Sequence, residues 1–139
     1  DRSMKIGVVI VTHYQLGEQM LQALRSIIPE APDFYAVSVS PDQTVDEMRT
    51  AISAKLAEAE NGQGVLILTD MFGGTPSNIA LSFLSEMKIE VVTGINLPML
   101  IKLATLRSEK SLEDLATFIK DYGRRNISVA SELVSGSDP

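Results

Sequence analysis

Apolar positions along this chain follow two alternating rhythms. Lys5 to Thr12 reads KIGVVIVT, an unbroken β-branched run of the kind that fills a strand covered on both faces. Shorter runs follow at Phe34 to Val39, Val65 to Thr69 and Ile89 to Thr93. Between them the spacing turns helical. Leu16, Met20, Leu21, Leu24, Ile27 and Ile28 share one face, and Val45, Met48, Ile52 and Leu56 share another. Thr44 and Glu47 predict a capping box at the start of the second helix. Thr75 and Pro76 predict an N-cap and first-turn proline for a third, running to about Met87. Asn96 and Pro98 introduce a fourth near Leu97 to Leu106. Ser111 and Asp114 cap a fifth, with Gly123 as its stop. A final short strand is predicted at Ile127 to Ala130, and Ser135 to Pro139 reads as a frayed end.

Strand alternating with helix implies right-handed crossovers and a mostly parallel sheet. The expected fold is α/β: one doubly wound domain of strand order 2-1-3-4, with an extra antiparallel strand at the C-terminus. The length, 139 residues, suits a single domain. The domain is expected over residues 4–130, with 131–139 as a tail. Asp1-Arg2-Ser3 reads as a cloning remnant ahead of a natural start at Met4. No apolar run reaches the roughly 18 residues of a membrane span, and no secretory pattern opens the chain. A cytoplasmic protein is expected.

Composition narrows the chemistry. Twelve Lys and Arg against 18 Asp and Glu leave a net charge of -6, which argues against a nucleic-acid specialist. The absence of cysteine removes disulfides, thiolate metal sites and cysteine nucleophiles. A single histidine excludes a zinc site built on several imidazoles, and no metal or cofactor is expected.

That histidine stands at an informative place. The first strand ends in Thr12-His13-Tyr14, and the third ends in Thr69-Asp70-Met71-Phe72-Gly73-Gly74-Thr75-Pro76. Ligands of open parallel sheets bind beyond the carboxyl ends of strands, where strand order reverses. With order 2-1-3-4, His13 and Asp70 face one crevice. A carboxylate that accepts from one imidazole N–H fixes the tautomer and presents the other nitrogen as a nucleophile. The glycines allow close backbone approach, and the helix opening at Thr75 and Pro76 offers N–H groups to an anion. The loop is neither a Walker A motif nor a dinucleotide fingerprint. Each element also has an ordinary structural reading: a surface histidine, a turn aspartate, a loop-to-helix connection. Met71, Phe72 and Met99 read as core residues or as an apolar docking rim, with core packing favoured for most of them.

Three segments then resemble one family in order. They are GVVIVTH at Gly7 to His13, GVLILTDMFGGTPSN at Gly64 to Asn78, and VVTGINLPML at Val91 to Leu100. Together they resemble the IIA component of the mannose-family phosphoenolpyruvate-dependent sugar phosphotransferase system, over about Met4 to Ile127. The resemblance implies a cytoplasmic phosphotransferase component that forms a phosphohistidine. His13 would accept a phosphoryl group from phospho-HPr and pass it to a IIB component, with Asp70 orienting and stabilising the ring. Gly73, Gly74 and Thr75 would bind the phosphate. It further implies a homodimer, in some members through exchange of the last strand, and contact with the membrane only through IIC and IID components. Family members carry glycine after the histidine; Tyr14 stands there in this chain, and is expected to modulate partner choice and transfer rate. Two other roles are consistent with the resemblance: a regulatory protein whose binding depends on phosphorylation, and the phosphoryl donor of a dihydroxyacetone kinase. A binding domain that has lost the transfer is a third reading, disfavoured by the retained His13 and Asp70.

Overall fold

A computed structural model describes residues 6–106 and 109–135 of the chain. The four apolar runs form four strands: β1 (Gly7–His13), β2 (Tyr35–Val39), β3 (Val65–Thr69) and β4 (Ile89–Thr93). They make one sheet in the order β2-β1-β3-β4, and every pair is parallel. The register is continuous, with Val11 opposite both Val37 and Thr69. The helices are α1 (Leu16–Ile27), α2 (Val45–Ala59), α3 (Thr75–Leu81), α4 (Leu97–Thr105), α5 (Leu112–Arg125) and α6 (Ala130–Val134).

The sheet separates two apolar cores, and β1 feeds both by alternation. Val8 and Ile10 pack with Leu21 and Leu24 of α1, Leu100 and Leu103 of α4, and Leu115 and Ile119 of α5. Val9 and Val11 pack with Met48, Ile52 and Leu56 of α2 and with Ile79 and Ala80 of α3. Val8 to Val11 are almost wholly buried, which explains why this strand carries no polar alternation. Gly7 begins the strand where α2 ends, and a Cβ there would fall inside the carbonyl of Ala59.

The Thr44–Glu47 capping box forms in both directions, and Asn96 and Ser111 cap α4 and α5. Four boundaries differ from the sequence reading. α3 stops at Leu81 instead of near Met87. Beyond it the chain tightens into three-residue bonds: Ser82, Phe83 and Leu84 donate to Ile79, Ala80 and Leu81, and the Ser82 hydroxyl donates to Ile79 O. The cap of α3 is Gly74, with Thr75 as its first residue. Gly123 does not end α5, which continues to Arg125; glycine is there because a Cβ would lie 2.5 Å from Met99 Sδ. Ile127 to Ala130 forms no strand. Ile127 and Val129 stand exposed away from the sheet, and α6 begins at Ala130, where the strand was expected to end and the tail to begin. A strand needs a neighbour to satisfy its backbone groups, and among the described residues this segment has none. Residues 1–3, expected to be a remnant, and 136–139, the end of the expected tail, lie outside the described residues.

Candidate functional site

Because all four strands are parallel, their carboxyl ends share one edge of the sheet. β1 and β3 are the inner pair, and their following loops leave toward opposite faces, which opens a crevice between them. His13 is the last residue of β1, and Asp70 directly follows β3.

The two side chains meet there. His13 Nδ1 lies 2.7 Å from Asp70 Oδ2, and the same oxygen accepts the His13 backbone N–H at 3.0 Å. The other carboxylate oxygen, Oδ1, accepts the Met71 N–H at 3.1 Å. Burial of Asp70 opposes its ionisation. Hydrogen bonds from the His13 ring and backbone, attraction to the ring's charge, and its own backbone N–H outweigh that cost, and hold the carboxyl below its ordinary value. An ionised carboxylate only accepts, so Nδ1 carries the proton, and in the neutral ring the lone pair sits on Nε2. The His13 side chain is 43% exposed and that of Asp70 only 11%, so the ring is reachable while its partner is shielded.

Gly74 lies against the outer edge of the ring. A Cβ at this position would be 2.7 Å from His13 Cε1 and 3.1 Å from Nε2. Gly73 serves differently: its φ of +93° is left-handed, with open space around it. Ser77, which the sequence reading did not single out, pins both glycines. Its wholly buried hydroxyl accepts from Gly73 N at 2.9 Å and donates to Gly74 O at 3.0 Å. A serine three residues into a helix behind a glycine pair is the signal that would have found it. Thr75 is exposed at the start of α3. The first-turn N–H groups of a helix have no carbonyl one turn earlier, and Pro76 contributes none.

Tyr14 is the one described non-glycine residue with positive φ, at 50°. Its N–H donates to Val39 O at 2.8 Å, which ties the turn after β1 to the end of β2. Tyr14, Leu16, Met71 and Phe72 are all about half or more exposed, Phe72 at 70%. Met99 is buried in the core beneath α5, but Met71 and Phe72 are exposed, so the expectation of core packing for most of the three does not hold. The third motif props β3 from the far side. Gly94 N and Ile95 N both donate to Thr69 O, and Asn96 Nδ2 donates to Gly123 O at 3.1 Å.

A family model, EIIA-man, described as the PTS system fructose IIA component, matches residues 7–120. The chain belongs to this family. The match spans both His13 and Asp70 and most of the described fold. The PTS system fructose-specific EIIA component of Bacillus subtilis (strain 168) is 29% identical over 128 residues, 91% of this chain and 88% of that protein. The PTS system mannose-specific EIIAB component of Escherichia coli (strain K12) is 29% identical over 126 residues, 89% of this chain. The chain spans only 39% of the length of that relative. Among solved structures, the mannose/sorbose specific IIA subunit of the phosphotransferase system from Enterococcus faecalis superposes with a TM-score of 0.83 at 28% identity, covering 91% of this chain and 95% of that one. The four-stranded parallel sheet is thus the fold of solved family members, and the chain is a mannose-family IIA component of the sugar phosphotransferase system.

Proposed function

We propose that His13 is a relay for a phosphoryl group, accepting it at Nε2 from phospho-HPr and handing it to a IIB component. The observation that carries this reading is the double hold of Asp70 Oδ2 on His13, through the ring Nδ1 at 2.7 Å and the backbone N–H at 3.0 Å. It leaves Nε2 as the nucleophile in a ring that does not need to reorient. As Nε2 attacks, the N–P bond on the donor breaks and one forms on His13. The Nδ1 proton stays in place, and the Asp70 charge offsets the positive charge that develops on the ring. Gly73, Gly74 and Thr75 form the wall against which the phosphoryl oxygens rest, with the backbone N–H groups of Gly74 and Thr75 as donors, since that of Gly73 is held by Ser77.

A donor protein must bring its own phosphorylated side chain within bonding distance of Nε2, so it covers the surface around His13. Tyr14, Leu16, Met71 and Phe72 give that surface apolar contact area, and a chain of net charge -6 favours a basic partner. The name EIIAB of the Escherichia coli relative supports a B unit as the next acceptor. Ile127, Val129, Leu133 and Val134, all exposed, support a second copy of the chain as the partner that covers them. The site works in the cytoplasm, where phosphoenolpyruvate is the ultimate donor.

The test is incubation with phosphoenolpyruvate, enzyme I and HPr, followed by intact-mass and acid-lability measurements. The expected product is one acid-labile phosphate per chain, absent from His13→Ala. Equal labelling of His13→Ala, or none of the wild type under conditions that phosphorylate a known IIA component, refutes the reading.

A further inference from the structure

We infer that the hydroxyl of Thr12 is a positioning group for His13, acting through the left-handed turn at Tyr14. The inference rests on the reading of His13 as the nucleophile. It begins from a defect in α1. The residue preceding this helix, Gln15, makes no side-chain cap, and the first-turn N–H of Gly17 therefore needs an acceptor. Thr12 supplies it from the strand. Its Oγ1 accepts from Gly17 N at 2.8 Å in a fully buried bond, and donates to Tyr14 O at 3.3 Å. The Thr12 side chain has no exposed surface. Gly17 is what lets the hydroxyl approach so closely, since a Cβ there would lie 3.2 Å from Thr12 Oγ1 and 2.9 Å from Ile10 Cγ2.

The consequence falls on the residue in between. A tyrosine resists φ of 50°, and both ends of its peptide are tethered: N–H to Val39 O, and C=O to the Thr12 hydroxyl. His13 joins this strained turn to the strand, so the turn sets the direction in which the ring leaves the backbone. A turn that relaxed toward ordinary φ would rotate the His13–Tyr14 peptide and swing Nδ1 away from Asp70. Thr12 touches neither ring nor carboxylate, yet it holds the conformation in which they meet.

Thr12→Val keeps the shape and removes the hydroxyl; Thr12→Ser keeps the hydroxyl. Two readouts are taken on folded protein: the phosphorylation rate from phospho-HPr, and the ring ¹⁵N pattern of His13, which reports the tautomer and needs no donor. Thr12→Val is expected to slow phosphorylation about tenfold or more and to shift the ring toward a tautomer mixture, and Thr12→Ser to restore both. Adding Tyr14→Gly to Thr12→Val is expected to bring back the wild-type ring pattern, because glycine holds the turn without the tether. A wild-type ring pattern in folded Thr12→Val overturns the inference. A folded Thr12→Ser with the valine variant's ring pattern does the same. If Thr12→Val alone does not fold, the double variant decides: a folded chain with the wild-type ring pattern supports the role, and failure to fold overturns it. The ring spectrum separates the two levels, since it stands even where phosphorylation of the wild type fails.

Discussion

Replacing Gly74 with alanine separates folding from chemistry at the proposed site. The backbone there, φ -90° and ψ 173°, suits any residue, so alanine meets no backbone strain. What it meets is the ring: the new methyl would stand 2.7 Å from Cε1 and 3.1 Å from Nε2 of His13. Carbon atoms rest at about 3.5–4.0 Å, so ring or loop must retreat by about 1 Å. Applied to the ring, a displacement of that size is enough to carry Nδ1 out of hydrogen-bond range of Asp70. A misplacement of this size costs about 100-fold in rate. The fold loses little, because exchanging a glycine N-cap for alanine costs about 1 kcal/mol. Gly73→Ala is the inverse control. It has open space but φ of +93°, and is expected to lose about 1–2 kcal/mol of stability through backbone strain while the His13 ring pattern stays as in the wild type. Single-turnover phosphorylation beside urea unfolding of both variants measures the crossing. A Gly74→Ala protein phosphorylated at the wild-type rate, with its His13 ring pattern unchanged, refutes the placement of the ring against this glycine.

Three further outcomes are expected. Asp70 has its folded pKa below the unfolded value of about 3.9, so its stabilisation is complete above that value and is lost as pH falls through the lowered folded one. The urea midpoints of wild type and Asp70→Asn should accordingly stay apart at pH 6 and converge only as pH falls below about 4, and a gap that widens below that pH counts against the pair. Gly7→Ala drives a methyl into the Ala59 carbonyl and should destabilise by about 1–3 kcal/mol in urea unfolding; an unchanged midpoint means the β1–α2 contact is looser than described. Phe72→Ala removes an exposed ring, so the melting temperature should hold while KM for phospho-HPr rises several-fold with kcat little changed; unaltered KM removes Phe72 from the docking surface.

The sheet was legible because its information is local and redundant. Val65–Thr69 and Ile89–Thr93 announce themselves as short apolar runs, and once strand alternates with helix few orders remain. The meeting of His13 and Asp70 followed from that order alone, since the carboxyl ends of adjacent inner strands must share a crevice. What escaped depends on contacts that spacing does not encode. Gly123 looks like a helix stop, but Met99 of another helix dictates it. The early end of α3 reflects Ser82 returning its hydroxyl to Ile79, a choice between two bonding patterns that propensity does not resolve. Ser77 and Thr12 act by bonding to backbone, which leaves no periodicity behind. The expected strand at Ile127–Ala130 has the right residues and no partner among the described residues, so composition alone could not place it.

The sheet order carries a consequence for how this domain opens. His13 and Asp70 hang from β1 and β3, each bonded to strands on both sides and roofed by a core on each face. Amides of Val9 to Val11 and Leu66 to Leu68 should therefore exchange with solvent only when the whole domain unfolds. The glycine loop, with open space around Gly73, rests on fewer bonds and should open far more often. The nucleophile is thus anchored to the slowest-exchanging part of the molecule, while the wall beside it breathes. A phosphoryl group carried as proposed would come and go without the strands loosening their hold on the ring.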